Sequence, residues 1–416
     1  MRAGGFPEEQ VRARARNGAA EAFPPVESYG HEVYGQSTAP GDGLDAARLV
    51  PPVFVPRRLE KLIDLGREPL QSDVDLATTV GGFRSALPVF LSAFGSTRIG
   101  SSEVSVAASR QAGALGVPMV IGENVVPVTG YSRDRATTTG LLARVRAYLD
   151  EAAPDTGGVV VQQSTEDADA EVWNLVYSDP SAQPLLESGR LGFELKVGQG
   201  AKPGLGGMTV LDRAAAARVD AQYAIDALWD GPGVLRSGSP GTFTDEILRH
   251  QIRLMRNNFP RARVWVKLHP GRDVARAAAV AWEAGADAVT VDGAEGGTGW
   301  APTAFLDHVG LPLAECLRRI GPPTGCLLAT GRMWEGVRAV KSLALGATAV
   351  GLGRAALIAV DTDPEHGLRR LVECLAFEAR LLISALGKYA PGDLSAEDVW
   401  QPGHPEPADL ALSPLT

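Results

Sequence analysis

Between Leu87 and Gly351 the chain repeats one pattern, a short apolar run followed by a stretch of helical length. The runs are Pro88–Ala93, Val117–Gly122, Gly158–Gln163, Gly192–Gly198, Arg263–His269, Ala286–Asp292, Gly325–Thr330 and Ala347–Gly351. Ala-rich amphipathic stretches lie between most of them, clearest at Val274–Glu283 and Trp334–Leu345. Near-continuous apolar strands alternating with helices predict a parallel sheet covered on both faces. Such a repeat over about 300 residues favours an α/β fold of the closed (β/α)8 TIM-barrel kind, with an open doubly wound sheet as the alternative.

The rhythm breaks once. Roughly 65 residues separate the fourth run from the fifth, with a Gly- and Pro-rich stretch over 199–245 and then a helix over Asp245–Asn257. A long excursion after a barrel strand builds the functional face. The expected organisation is therefore an N-terminal arm and helical extension over 1–86, the barrel over 87–360 with its insertion after strand four, and a C-terminal helical segment and tail over 361–416. Residues 1–50 show no sustained period. They read as an arm on the body or on a neighbouring subunit of a homo-oligomer, or as a free tail. Arg57–Leu65 reads as a short helix.

Composition excludes several classes. A net charge of −9 gives no basic stripe for phosphates, so no nucleic-acid partner is expected. Cys316, Cys326 and Cys374 are too few and scattered for a disulfide framework or a metal site, so no metal is expected and the setting is cytoplasmic. No stretch has the length and apolarity of a membrane span or a signal peptide.

In a barrel the chemistry sits where strands end. The first run ends in Ser92, Ala93, Phe94, Gly95 and Ser96, small enough for a flat ring to approach the backbone; a tight turn is the bland alternative. Glu123 follows the second run, as an acid/base group, an amine anchor or a solvated loop residue. After the fourth comes KVGQGAKPGLGG, residues 196–207. Its glycines can expose amides, Gln199 both donates and accepts, and Lys202 offers a cation. No Gly-Lys-Ser/Thr follows, which disfavours a P-loop. Lys267 is flanked by apolar residues in the fifth run and so points into the barrel mouth, where its charge would favour a reduced flavin anion. Gly296 and Gly297 follow the sixth run and permit close approach to a ligand. The seventh and eighth end in Gly331-Arg332 and Gly351-Leu352-Gly353-Arg354. Glycine amides with a basic side chain at those two ends suit a phosphomonoester, and FMN fits best.

The runs KVGQGAKPGLGG, VKL, DGAEGGTGWAP and GATAVGLGRAAL, in this order, resemble the flavin domain of glutamate synthase over roughly 87–357. More distantly, the chain is similar to flavin-dependent isopentenyl-diphosphate isomerase and the α-hydroxyacid oxidases. The resemblance implies FMN at the barrel mouth and reduction of an imine formed from a 2-oxo acid and ammonia. By the same resemblance Ser92–Ser96 line the flavin and Lys267 sits at its N1/O2 edge. Gln199 and Lys202 face substrate or flavin, and Glu123 matches the family's glutamate after strand two. One of Gln162 and Gln163 matches a glutamine near the ring, with Gln163 taken as the candidate. Gly331, Arg332, Gly351, Gly353 and Arg354 hold the phosphate.

The chain departs from the family in four respects. The iron–sulfur cysteines after the last strand are absent, Asp361–Gly387 offering only Cys374. The glutaminase domain and its N-terminal cysteine nucleophile are absent. The family's Pro-rich segment ending in two His becomes Ser237–Phe243, and Leu228 stands where the family grips the oxo-acid carboxylate. The flavin site is spared, so the cofactor is kept and the substrate changed. The expected activity is FMN-dependent oxidation or reductive amination at CH–NH2 of a small molecule, with Lys202, Glu123 and Gln199 catalytic. The alternatives are a flavin subunit of a multi-chain amidotransferase, with an amidotransferase or reductase partner, and a redox-neutral flavin isomerase.

Overall fold

A computed structural model of the chain describes residues 3–22, 42–53, 68–94, 102–122, 140–164, 170–198, 200, 206–217, 219–221, 223–227, 233–238, 243–297 and 302–403. Glu123, Gln199, Lys202, Gly95, Ser96, Leu228 and the expected helix Arg57–Leu65 lie outside the described residues.

The strands, in chain order, are β1 (Arg48–Leu49), β2 (Thr78–Val80), β3 (Phe83–Ser85), β4 (Val89–Phe94), β5 (Met119–Ile121), β6 (Val159–Ser164), β7 (Leu191–Lys196), β8 (Gly206–Asp212), β9 (Ala224–Asp226), β10 (Gly233–Gly238), β11 (Arg263–Leu268), β12 (Ala288–Asp292), β13 (Cys326–Thr330), β14 (Ala349–Leu352) and β15 (Val399–Trp400). The helices are α1 (Glu8–Asn17), α2 (Gly43–Ala46), α3 (Ser102–Leu115), α4 (Leu141–Leu149), α5 (Ala170–Ser178), α6 (Gln183–Glu187), α7 (Arg213–Ala216), α8 (Asp245–Asn258), α9 (Val274–Glu283), α10 (Thr303–His308), α11 (Leu313–Ile320), α12 (Gly336–Ala344), α13 (Arg354–Thr362) and α14 (Gly367–Ala385).

Strands β4, β5, β6, β7, β11, β12, β13 and β14 close into a parallel barrel in that order, β14 pairing back onto β4. Each corresponds to one of the apolar runs, so the (β/α)8 reading holds and the doubly wound alternative falls. Alternation along each strand sorts its residues. Val159, Val161, Phe193, Val264, Val266 and Val291 face the helices and join the large outer core. Phe90, Val120, Val160, Trp265, Ala288, Leu328 and Ala349 face inward and form a separate cluster.

A hairpin of β2 and β3 stops the lower end of this bore, its Val80 and Phe83 completing the inner cluster. Its two-residue turn, Gly81-Gly82, has φ of 55° and 92°. That conformation suits glycine. A Cβ on Gly81 would stand 2.3 Å from the Trp265 indole, whose Nε1 donates to the Gly81 carbonyl at 3.0 Å. This hairpin was not among the expected elements.

The insertion after β7 carries a three-stranded antiparallel sheet in the order β8-β10-β9. The first residues are not irregular throughout, since 8–17 form α1. Its Val11 and Ala15, with Phe6, pack on Ala355, Ile358 and Ala359 of α13 and Leu371 of α14. Arg14 pairs with Glu378 at 2.5 Å. Near the other end, β15 pairs with β1. Among the described residues no helix is long and apolar enough to cross a membrane.

Candidate active site

The inner face of the barrel changes character two residues above the apolar cluster. Ser92, Gln162, Lys267, Thr290 and Thr330 follow Phe90, Val160, Trp265, Ala288 and Leu328 on the same side of their strands. With Glu194 and Asp292 they fill the upper bore, and all are buried.

Buried polar groups must satisfy one another. Gln162 Nε2 donates to Glu194 Oε2 at 2.5 Å, and Thr290 Oγ1 donates to Glu194 Oε1 at 3.0 Å. Burial pushes the Glu194 carboxyl above its ordinary range, against the pull of Lys267. One step higher, Lys267 Nζ lies 3.4 Å from Asp292 Oδ2. Asp292 also accepts from the Gly200 amide at 2.9 Å and from Thr330 Oγ1 at 2.8 Å. Lys267 is therefore a buried cation at the strand end, 7% exposed, facing a carboxylate that the strand-end motifs did not single out. The missed signal is period two: Gln162, Glu194, Thr290, Asp292 and Thr330 are the inward positions of the upper strand halves.

Of the two glutamines on β6, Gln162 shares the inner face with Val160, whereas Gln163 follows on the opposite face with Val161. The candidate Gln163 is thus corrected to Gln162 as the glutamine of the bore, because side chains alternate along a strand. Ser92 faces inward. Phe94 turns its ring outward, where the Arg144 guanidinium covers it at 5.0 Å, so it offers the bore only backbone. Ala93 is half-buried at the irregularity where β4 shifts register against β5.

At the ends of β13 and β14 the expected phosphate residues separate into two groups. Helix α13 begins at Arg354 with Gly353 as its cap residue and no side-chain cap. Among the described residues, a Cβ on Gly353 would meet nothing within 4 Å, so no described atom covers the helix head. The half-buried Arg354 donates Nη2 to the Glu295 carbonyl and lies 4.5 Å from the Phe6 ring centroid. Among the described residues it has no carboxylate ion-pair partner, and burial pushes its guanidinium down. Arg332, with φ 50°, turns elsewhere. Its Nη1 lies 3.7 Å from Asp42 and 3.4 Å from Asp45, which α2 brings against Arg338.

The glycines have structural neighbours of their own. A Cβ on Gly351 would stand 2.5 Å from Thr330 and 2.6 Å from Phe90, inside the bore. On Gly296 it would stand 2.6 Å from Asp292 Oδ1, and on Gly297 3.0 Å from Arg354. Gly331, at φ 133°, accepts at its carbonyl from Arg338. Close approach at these positions is first to protein.

A family model described as a conserved region in glutamate synthase matches residues 185–363. The archaeal-type glutamate synthase (NADPH) of Thermotoga sp. (strain RQ2) is 34% identical over 179 residues, 40% of this chain and 34% of that protein. The archaeal glutamate synthase (NADPH) of Methanocaldococcus jannaschii is 31% identical over 237 residues, 47% of this chain and 45% of that protein. The chain thus spans less than half the length of these curated relatives. Among solved structures, a soluble mutant of (S)-mandelate dehydrogenase from Pseudomonas putida aligns with TM-score 0.54 at 18% identity, covering 96% of this chain and 100% of that one. A mandelate oxidase solved with an FMN adduct aligns with TM-score 0.53 at 19% identity, covering 94% and 98%. At such identities the likeness is one of fold.

Proposed function

We propose, on the premise that residues 185–363 carry the conserved region of glutamate synthase, that this chain is an FMN-dependent oxidoreductase acting at CH–NH2 of an amine, imine or amino-acid-like substrate. The observation that carries this reading is Arg354. A half-buried guanidinium with no carboxylate ion-pair partner among the described residues, beside an uncapped helix head where no described atom stands over Gly353, is what a phosphate group needs. The residues present fit the group at both its ends, since the bore below supplies polar atoms from Ser92, Gln162 and Lys267 for a ring edge.

FMN supplies hydride chemistry at its N5 when bound. The chain's residues do the rest. The amides at Gly353 and Arg354, with the Arg354 guanidinium, hold the phosphate. Gly331 lies on the same rim, and Arg332 is assigned to holding α2. Lys267 offers a fixed positive charge to the ring's polar edge, which favours added electrons. Gly296 and Gly297 let the loop after β12 fold against Asp292 and Arg354. Gly200, which lies between Gln199 and Lys202 in the sequence, is tied to the bore through its amide. Lys202 and Glu123 polarise the substrate and move its proton, and Gln199 orients it. The relatives' NADPH-dependent names support a reductase or nicotinamide source of electrons, and a glutamine-hydrolysing partner is a second candidate for the ammonia.

The purified protein, reconstituted with FMN, tests this. Yellow protein with a flavin absorption band is expected, bleached anaerobically by amine or amino-acid substrates. Arg354→Met should weaken FMN binding by about 10- to 100-fold, the worth of a charge-assisted hydrogen bond, with riboflavin binding unchanged. Equal loss for both flavins would remove the phosphate from this corner. A wild-type protein that takes up no FMN would sink the reading.

A further inference from the structure

Two contacts from distant parts of the chain fix the Arg354 guanidinium. Its central carbon lies 4.5 Å from the centroid of the Phe6 ring, within the range of a cation–π contact. Its Nη2 donates to the Glu295 carbonyl, and its stem passes Gly297, where a Cβ would stand 3.0 Å away. Nε and Nη1 have no hydrogen-bond partner among the described residues. The ring is itself well seated. It is 8% exposed and packs with Val11, Ala15, Ala355, Ile358, Ala359 and Leu371. Helix α1 runs alongside α13 in the same direction. Phe6, just before α1, meets Arg354 at the first residue of α13, while Arg12 reaches Asp361 at 3.3 Å and Thr362 at 2.9 Å at its end. Glu8 bonds both Arg12, at 2.9 Å, and the Ala3 amide, at 3.0 Å, which closes the turn that carries Phe6. An aliphatic side chain would serve an apolar cluster as well as a ring does. Only the ring's quadrupole serves the face of a cation.

We propose that Phe6 is a positioning residue of the phosphate corner: its ring fixes the plane of the Arg354 guanidinium, the Glu295 carbonyl fixes its rotation within that plane, and Nε and Nη1 are left for phosphate oxygens. The inference rests on the FMN reading above and deepens it, by giving the N-terminal segment a part in the site. An unrestrained arginine side chain loses rotamer freedom when it grips an anion. Here that freedom is already lost on folding, so less is lost on binding. Phe6 acts only through Arg354, so its effect is confined to flavins that carry a phosphate.

The test compares FMN with riboflavin, by fluorescence titration of the flavin-free full chain. Phe6→Leu keeps an apolar side chain in the cluster and removes the ring. It should weaken FMN binding by about 3- to 10-fold, the worth of one partly desolvated cation–π contact, and leave riboflavin binding unchanged. Phe6→Tyr keeps the ring face and should bind FMN within about twofold of wild type. In an Arg354→Met background, Phe6→Leu should have no further effect on FMN. Equal weakening of both flavins, wild-type FMN affinity in Phe6→Leu, a Phe6→Tyr protein as weak as Phe6→Leu, or an undiminished effect without Arg354 overturns the proposal. The cofactor reading survives each of these, because it turns on Arg354→Met alone and on FMN uptake by the wild-type protein. A wild-type protein that takes up no FMN overturns both. Should Phe6→Leu not fold, Phe6→Met, also without a ring, makes the same comparison, and wild-type FMN affinity in it overturns the proposal equally.

Discussion

At the lower end of the bore Phe90, Val160 and Trp265 close on Val80 and Phe83. Two residues further along the same strands stand Ser92, Gln162 and Lys267. Backbone, pairing and burial are alike at the two levels, and only the chemistry of the side chains changes. The lower level gains by exclusion of water and has little polar surface to satisfy. The upper level holds Lys267, Glu194 and Asp292 out of water, which costs free energy even when every group has a partner. A fold has no structural need for such a layer, which is the ground for placing the proposed site there.

The difference can be broken from below. Trp265 is fully buried, touches Phe83 and Phe90 at ring-centroid distances of 5.6 and 6.1 Å, and donates to Gly81. Trp265→Ala should cost about 4 kcal/mol in denaturant unfolding of the flavin-free protein. Folded Trp265→Ala protein should still bind FMN with near wild-type affinity. A large loss of affinity at preserved fold would mean that the two levels are not separable. From above, Lys267→Met leaves Asp292 and Glu194 buried without their cation, and should cost about 3 kcal/mol. It should also drive the flavin potential more negative, which no substitution in the lower cluster should do.

Glu335, at the same end but outside the bore, sharpens the point about cost. It caps α12 without a side-chain hydrogen bond, and burial together with the nearby Glu378 pushes its carboxyl up from 4.5 to about 7. A carboxyl raised on folding binds its proton more tightly in the native state. Its contribution is therefore complete below pH 4.5 and is lost as the pH rises through about 7. Glu335→Gln should leave stability unchanged at pH 4 and raise it by roughly 2 kcal/mol at pH 8. Unfolding curves at those two pH values decide it, and an equal effect at both would refute the assignment.

Legibility divides along the same line. The barrel strands could be read because each is a short, mainly apolar run, a signal local to a few residues. The β2–β3 hairpin was local too, in its Gly81-Gly82 turn between alternating residues, and went unread. Helix α1 was not legible. Glu8–Asn17 is charged nearly all round, and Val11 and Ala15 become core only against α13 and α14, over 300 residues away. The site shows the same split. Lys267, Gly353 and Arg354 announce themselves as odd residues at strand ends. Asp292 and Glu194 need the facing of each strand to be known, and Arg332 needs Asp42 and Asp45 to arrive from the far end of the chain.

The smallest expected effect isolates one hydrogen bond of the upper level. Gln162 Nε2 reaches Glu194 Oε2 at 2.5 Å, while its neighbour Gln163 looks to the helix layer. Gln162→Leu removes a donor that favours the ionised carboxylate, and so lifts further a carboxyl that burial has already raised. The loss is absent while Glu194 is protonated and appears as the pH climbs through its native pKa, reaching about 1 kcal/mol. Among the described residues Gln163 bonds no carboxylate, so Gln163→Leu should show no such slope. Stability of both variants from pH 4 to pH 9, by chemical denaturation without flavin, separates them. A pH-independent loss in Gln162→Leu, or a matching slope in Gln163→Leu, would mean that the bore's polar layer is not the charged network that its hydrogen bonds describe.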